Sequence, residues 1–279
     1  MHSIFSGSLR VEPITVTIAN LPPALAGCRI VQMSDFHYDG LRLRESLLNE
    51  AIAACNRAQP DLIALTGDYV TDDPSPIEPL VDRLRRLKSR CGLYAVLGNH
   101  DLRHYDSKDK ITRTLEAAGI TVLWNQIAYP FGADLPIVGL PDFRSRSFDP
   151  HTLDRLADTT PRLVLSHNPD SAAVLAEKRV DLQLSGHTHG GQVVIPGLKP
   201  LPAWIPTIAR CVPKPMRQQI PYLRKSCRTI VQHWEWSQGL HQVGNNQLYV
   251  NRGLGTYLPG RLFCPPEVTV ITLLPGRSS

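Results

Sequence analysis

Five short segments of the chain carry metal-ligand side chains in a set order: Asp35-Phe36-His37, Gly67-Asp68, Gly98-Asn99-His100-Asp101, Ser166-His167 and Gly186-His187-Thr188-His189. Carboxylates, imidazoles and an amide oxygen together suit two divalent cations side by side, with an acid kept next to them. A dinuclear centre of that kind activates water against phosphate esters, so the chemistry these residues suggest is metal-dependent phosphoester hydrolysis. Asp35 and His37 stand two apart after a strand-like run, where an extended backbone would turn both to one side; alone, the pair also fits an exposed loop. Asp68 can bridge two cations, or can cap a helix or turn. Asn99 beside His100 offers a hard neutral ligand next to a proton donor, and equally fits a turn with a capping Asn. His167, after Leu163-Val164-Leu165, fits a hydrogen-bonded core histidine when taken by itself. His187 and His189 form the most specific pair, because two imidazoles this close are unusual outside metal sites.

The elements that must position these side chains alternate along the chain. Residues 15–19 and 29–33 read as strands, and 41–57 as a helix with Leu43, Leu47, Leu48, Ala51 and Ile52 at helical spacing. A short buried strand is expected at 61–66, a second helix at 76–88, a strand at 93–97, and a helix at 108–118 stopped by Gly119. Apolar runs at 136–140, 162–166 and 181–185 are further strands, with a helix at 171–178 between the last two. Residues 247–251 and 268–274 return to a strand-like pattern. Repeated strand, polar loop and helix argue for an α/β architecture. Each ligand segment falls just past the carboxyl end of an expected strand, where open α/β sheets gather their sites. Residues 196–244 differ in character: they are proline-rich, and 199–228 hold seven basic residues and no acidic one, with Trp204, Trp234 and Trp236 in or near them. This segment is expected as an insertion or cap on a single domain spanning 1–279.

At 279 residues and 42% hydrophobic, the chain is ordinary for a globular protein with one large core. A net charge of +5 permits anionic substrates but is too mild to argue for nucleic acid. The six cysteines are scattered, with no CxxC pair; buried reduced thiols fit best and favour a reducing compartment, although Cys211 and Cys227 could pair. Residues 1–13 hold no apolar run fit for a signal peptide, and no stretch reaches the about 18 apolar residues of a membrane span. A cytoplasmic protein, able to lie on a membrane surface, is the expectation.

The five ligand segments resemble those of the calcineurin-like metallophosphoesterase superfamily, over roughly residues 29–192. Leu21-Pro22-Pro23, Gly190-Gly191-Gln192 and Asn251-Arg252-Gly253-Leu254-Gly255 further resemble a bacterial branch of phosphodiesterases, some acting at membranes or on lipid-linked pyrophosphates. The resemblance implies a sandwich of two mixed sheets flanked by helices. It also implies that Asp35, His37 and His189 hold a first metal and Asn99, His167 and His187 a second, with Asp68 bridging. The metals in such sites are commonly manganese, iron or zinc.

In that arrangement an activated hydroxide would attack phosphorus, and His100 is the candidate acid for the leaving oxygen. Asp101 either orients His100 or caps the turn. Gln192, beside the Gly190-Gly191 turn, is a candidate substrate contact; Arg103, His104, Arg144 and His241 fit either substrate contacts or solvated surface. The basic, Trp-containing segment suits phospholipid head groups or an ordinary loop packed on the sheet. The substrate expected is a small or lipid-linked phosphate ester. A nuclease would need an extended basic groove with stacking aromatics, for which only 196–244 is available. A non-catalytic scaffold should have lost ligands, and all seven positions and His100 are present. The stretch after Gly67-Asp68 also lacks the Asp-Arg-Gly of protein serine/threonine phosphatases.

Overall fold

Short apolar runs bounded by turn residues become strands buried on both faces, and the helices cover them. In the computed structural model, which describes residues 6–198, 200–217 and 231–276 with the side chains of Pro206, Lys214 and Pro215 apart, two six-stranded mixed sheets pack face to face. The first has the order β1 (Arg10–Ala19), β12 (Glu267–Gly276), β2 (Arg29–Met33), β3 (Leu62–Leu65), β4 (Leu93–Ala95), β5 (Ile120–Val122). Within it β2 to β5 run parallel, and β12 lies antiparallel to β2 and parallel to β1. The second has the order β10 (Gly239–Val243), β11 (Asn246–Val250), β9 (Leu182–Ser185), β8 (Leu163–Leu165), β7 (Ile137–Gly139), β6 (Gln126–Ala128). Its central strands β7, β8, β9 and β11 are parallel, with antiparallel edges.

Alternate residues of each strand serve different layers, as the period of two requires. Ile30, Leu62 and Ala64 meet Leu163, Leu165, Leu182 and Leu184 between the sheets. Their neighbours Val31, Ile63 and Leu65 face outward onto helices α1 (Glu45–Arg57), α2 (Ile77–Leu84) and α3 (Ser107–Glu116). Val138 and Val164 form the outer core of the second sheet with Leu153, Leu175 and Val180.

The sandwich and its α/β class match the expectation, while several element bounds differ. The helix expected from residue 41 starts at Glu45, because the Asp39 carboxylate accepts the amide N–H groups of Leu41 and Arg42 and holds a turn there. The helix expected at 171–178 is the single turn α4 (Ser171–Val174). Strand β1 begins five residues earlier than expected, paired along its whole length with β12. Within the segment expected as a cap, α5 (Leu201–Cys211) and α6 (Lys214–Arg217) are helical, and β10 is an edge strand of the second sheet. Cys227 lies outside the described residues, so the pairing considered for Cys211 does too.

Candidate metal centre

The loops after β2, β3 and β4 meet those after β8 and β9 at one edge of the sandwich, where these strands present their carboxyl ends. Hydrogen bonds sew the two sides together. Gln32 Nε2 donates to the Ser185 carbonyl (2.9 Å), His167 Nδ1 lies 2.6 Å from the Thr66 carbonyl, and the His187 amide donates to the Asp35 carboxylate (3.0 Å).

Two buried groups result. In the first, His189 Nε2 is 3.4 Å from Asp35 Oδ1 and 3.1 Å from His37 Nε2. In the second, His167 Nε2 is 3.1 Å from Asp68 Oδ2 and 3.2 Å from His187 Nδ1. Asp68 Oδ2 is also 3.5 Å from His37 Nε2, so one carboxylate reaches both groups. A third set of Asp68, His37 and His100 overlaps the two.

The donor chemistry fits divalent cations on two counts. The far nitrogens of the imidazoles are engaged: His167 Nδ1 with Thr66 O, His189 Nδ1 with Gly255 O (3.3 Å) and His37 Nδ1 with the Tyr257 hydroxyl (3.1 Å). With those nitrogens protonated, the Nε2 lone pairs converge, an arrangement that a cation relieves. The buried Asn99 Oδ1 also has no hydrogen-bond partner among the described residues, and an orphaned carbonyl oxygen is what a hard cation needs.

The extended geometry expected for Asp35 and His37 is not what the chain adopts. Asp35, His37, Asp68, His187 and His189 all have positive φ, between 43° and 71°. Left-handed backbone costs a non-glycine residue on the order of 1–3 kcal/mol, and persists only where the surroundings enforce it. Close backbone approach does the enforcing: a Cβ on Gly253 would lie 2.6 Å from the Asp35 Cβ, and one on Gly98 would lie 2.2 Å from Asp68 Oδ1. Glycine is the residue that leaves this room.

The charges are set by burial and by Asp68. Burial pushes His189 down to about 4 and His37 well below the usual imidazole range, against the pull of the nearby carboxylates. Burial also disfavours the charged form of His167, but Asp68 outweighs it and pushes His167 up to about 10. A cation entering beside His167 must therefore displace a proton at neutral pH, whereas one entering beside His189 need not. Metal titration of stripped protein in buffers of differing ionisation enthalpy is expected to show two events, one releasing about one proton. The affinity of that event should rise about tenfold per pH unit from pH 6.5 to 8.5; two pH-independent events would contradict the assignment.

The Asp101 side chain lies between two loops. Its buried carboxylate accepts the amide N–H groups of Gly98, Asp68, Tyr69 and Val70 (2.8–3.3 Å), tying the loop after β4 to the loop after β3. His100 instead places Nδ1 2.5 Å from the Thr71 carbonyl and Nε2 3.2 Å from Arg103 Nη2. The Gln192 side chain accepts the Tyr257 amide (2.6 Å). Arg144 is exposed, and His241 Nε2 contacts the Gln238 carbonyl.

Three residues escaped the sequence reading. Tyr257 packs its ring against His37 and His189, with centroids 4.9 and 5.3 Å away. Arg261 donates to the carbonyls of Arg252, Gly253 and Gly255 (2.6–3.1 Å), shaping the loop that presses on Asp35. Asp142, buried after β7, leaves Oδ2 without a hydrogen-bond partner among the described residues. Only the Asn251–Gly255 motif signalled this region beforehand.

The calcineurin-like phosphoesterase family model matches residues 28–191. The phosphodiesterase YaeI of Escherichia coli is 35% identical over 251 residues, covering 88% of this chain and 82% of that protein. The uncharacterized metallophosphoesterase YkuE of Bacillus subtilis is 33% identical over 267 residues, covering 93% and 83%. The UDP-2,3-diacylglucosamine pyrophosphatase LpxG of Chlamydia trachomatis is 28% identical over 310 residues, covering 91% and 87%.

Proposed function

We propose that this chain, which belongs to the calcineurin-like phosphoesterase family, hydrolyses a phosphodiester or pyrophosphate bond in a small or lipid-linked substrate. The observation that carries the reading is the pair of ligand groups joined through Asp68. A phosphodiesterase and a pyrophosphatase among the relatives support the bond type, and the acylated sugar nucleotide in the name of the latter supports a lipid-linked substrate.

Asp35, His37 and His189 would hold one divalent cation and Asn99, His167 and His187 a second, with Asp68 shared; manganese, iron and zinc all suit these donors. Bound there, the two cations would supply Lewis acidity to the phosphate oxygens and acidify a water as the nucleophile. The protein's own part is to position and to move a proton. Thr71 fixes the His100 ring through Nδ1; Nε2, which accepts from Arg103 here, would exchange that contact for a proton in order to protonate the leaving oxygen. Arg103, against that nitrogen and ion-paired with Asp72, stands where a substrate phosphate would pass. Asp101 keeps the two loops in register for this.

Hydrolysis of bis-p-nitrophenyl phosphate and of p-nitrophenyl phosphate by metal-stripped protein, with and without added Mn²⁺, tests the reading. Metal-dependent turnover favouring the diester is expected. Failure to bind metal and to cleave either ester would overturn it.

A further inference from the structure

We infer that a cavity at the end of the sandwich opposite the metal centre binds the phosphate dianion of a small molecule. The cavity, of about 580 Å³, opens where β2, β3 and β4 begin, between residues 27–29, 56–61 and 88–90. The metal-ligand loops leave the other ends of the same strands. The five residues of β2 alone separate the two places by roughly 16 Å, at about 3.3 Å per residue. A volume of this size suits a small ligand.

Charge decides which ligand. Arg29, Lys88 and Arg90 line the cavity, and Asp61 is the one acid among its lining residues, so three cations against one carboxylate leave the wall at +2. The arginines are held in place. Buried Asp61 accepts the Arg29 amide at 2.7 Å on one oxygen, and its other oxygen pairs with the Arg90 guanidinium. The Arg29 guanidinium donates to the Ala58 carbonyl (2.7 Å) through one nitrogen, which leaves its remaining N–H groups without a partner among the described residues.

Asn56 fixes the third segment to α1, accepting the Lys88 amide (2.9 Å) and donating to the Arg86 carbonyl (2.8 Å). The Lys88 side chain is exposed and forms no ion pair among the described residues. Next to it the buried Ser89 hydroxyl has no hydrogen-bond partner among them, and a phosphate oxygen would supply one. A guanidinium meets phosphate with parallel N–H groups, and an ammonium adds a point charge. A concave wall of one sign also concentrates small anions. Three short segments enclose the cavity, so it fits a terminal phosphate and not the run of phosphates along a nucleic-acid strand. The site stands whether or not the metal centre hydrolyses esters.

Calorimetric titration of inorganic phosphate into the full chain, metal-loaded and then metal-stripped, tests this. Two cations side by side also clamp phosphate, so stripping removes that contribution. One site is expected to remain, and to weaken at high salt. Lys88→Glu should lower its affinity at least about tenfold and Arg29→Gln about threefold, with the Tm of each compared with wild type. Should one of the two fail to fold, the other decides. Arg113→Glu makes the same change of net charge as Lys88→Glu on an exposed position of α3 outside the cavity, and should leave the affinity within about twofold. Glycerol 3-phosphate should compete for the site, and vesicles containing phosphatidic acid should not. A stripped wild type that binds no phosphate up to about 10 mM would overturn the inference. So would a loss in Lys88→Glu that Arg113→Glu matches, or binding that every variant retains. Competition by the vesicles alone would put the phosphate on a lipid surface and overturn the small-molecule assignment.

Discussion

Asp68→Asn is expected to lower diester turnover on the order of 10³-fold or more while the protein stays folded. The Asp68 carboxylate reaches His37 at 3.5 Å and His167 at 3.1 Å, and its other oxygen accepts the His100 amide at 2.8 Å. It is the group that reaches both ligand groups, and removing its charge would leave a neutral amide between the two cations proposed above. Cations in such sites contribute several kcal/mol of transition-state stabilisation, and each tenfold in rate is about 1.4 kcal/mol. Elemental analysis should find at least one cation lost per chain. A variant that kept both cations and turned over within about tenfold of wild type would remove Asp68 from the bridge. The proton balance provides an independent readout. His167 is held at about 10 by Asp68, above its ordinary 6.5, so in stripped protein this pair contributes stability that is full below about pH 6.5. That contribution is lost as pH rises through about 10. The gap in Tm between stripped wild type and Asp68→Asn should therefore narrow from pH 6.5 to 10, and the proton released on metal binding should disappear in the variant.

His100→Ala should slow hydrolysis of a diester with a poor alkoxide leaving group by about 10²–10⁴-fold, and that of a p-nitrophenyl diester far less. The ring stands edge-on to His37, with centroids 4.8 Å apart, and is oriented through Nδ1 by Thr71. A good leaving group departs without a proton, so the leaving-group dependence separates proton donation from general damage. The comparison is kcat on alkyl and on aryl diesters at saturating metal, with metal content unchanged. Equal losses on both would mean that His100 holds the site together instead of protonating it.

How much of this could be read beforehand follows from the range of each interaction. Asp35, His37, Asp68, His167, His187 and His189 come together at strand ends, because parallel strands deliver such loops to one edge. The manner of convergence was illegible: five of them have positive φ, and the backbone that crowds Asp35 and Asp68, at Gly253 and Gly98, lies far from each in sequence. Asp101 shows the same limit, since its acceptors' partners span the β3 and β4 loops and nothing local distinguishes it from a turn cap. Tyr257 and Arg261 are common residue types whose work lies 220 and 72 residues away, on His37 and His189. The start of α1 differs for a local reason, the Asp39 turn, which engages the amides of Leu41 and Arg42.

Strand β12 lies between the edge strand β1 and β2 in the first sheet. During synthesis, which proceeds at about 5–20 residues per second, β2 must wait until Glu267–Gly276 is made before it gains that neighbour. Gly253 and Gly255, which press on Asp35 and His37, arrive on the same late segment. A nascent chain can thus display its histidines without the backbone that aims them. A cation that met the chain before residue 253 was made would find these side chains without the glycine backbone that presses on them.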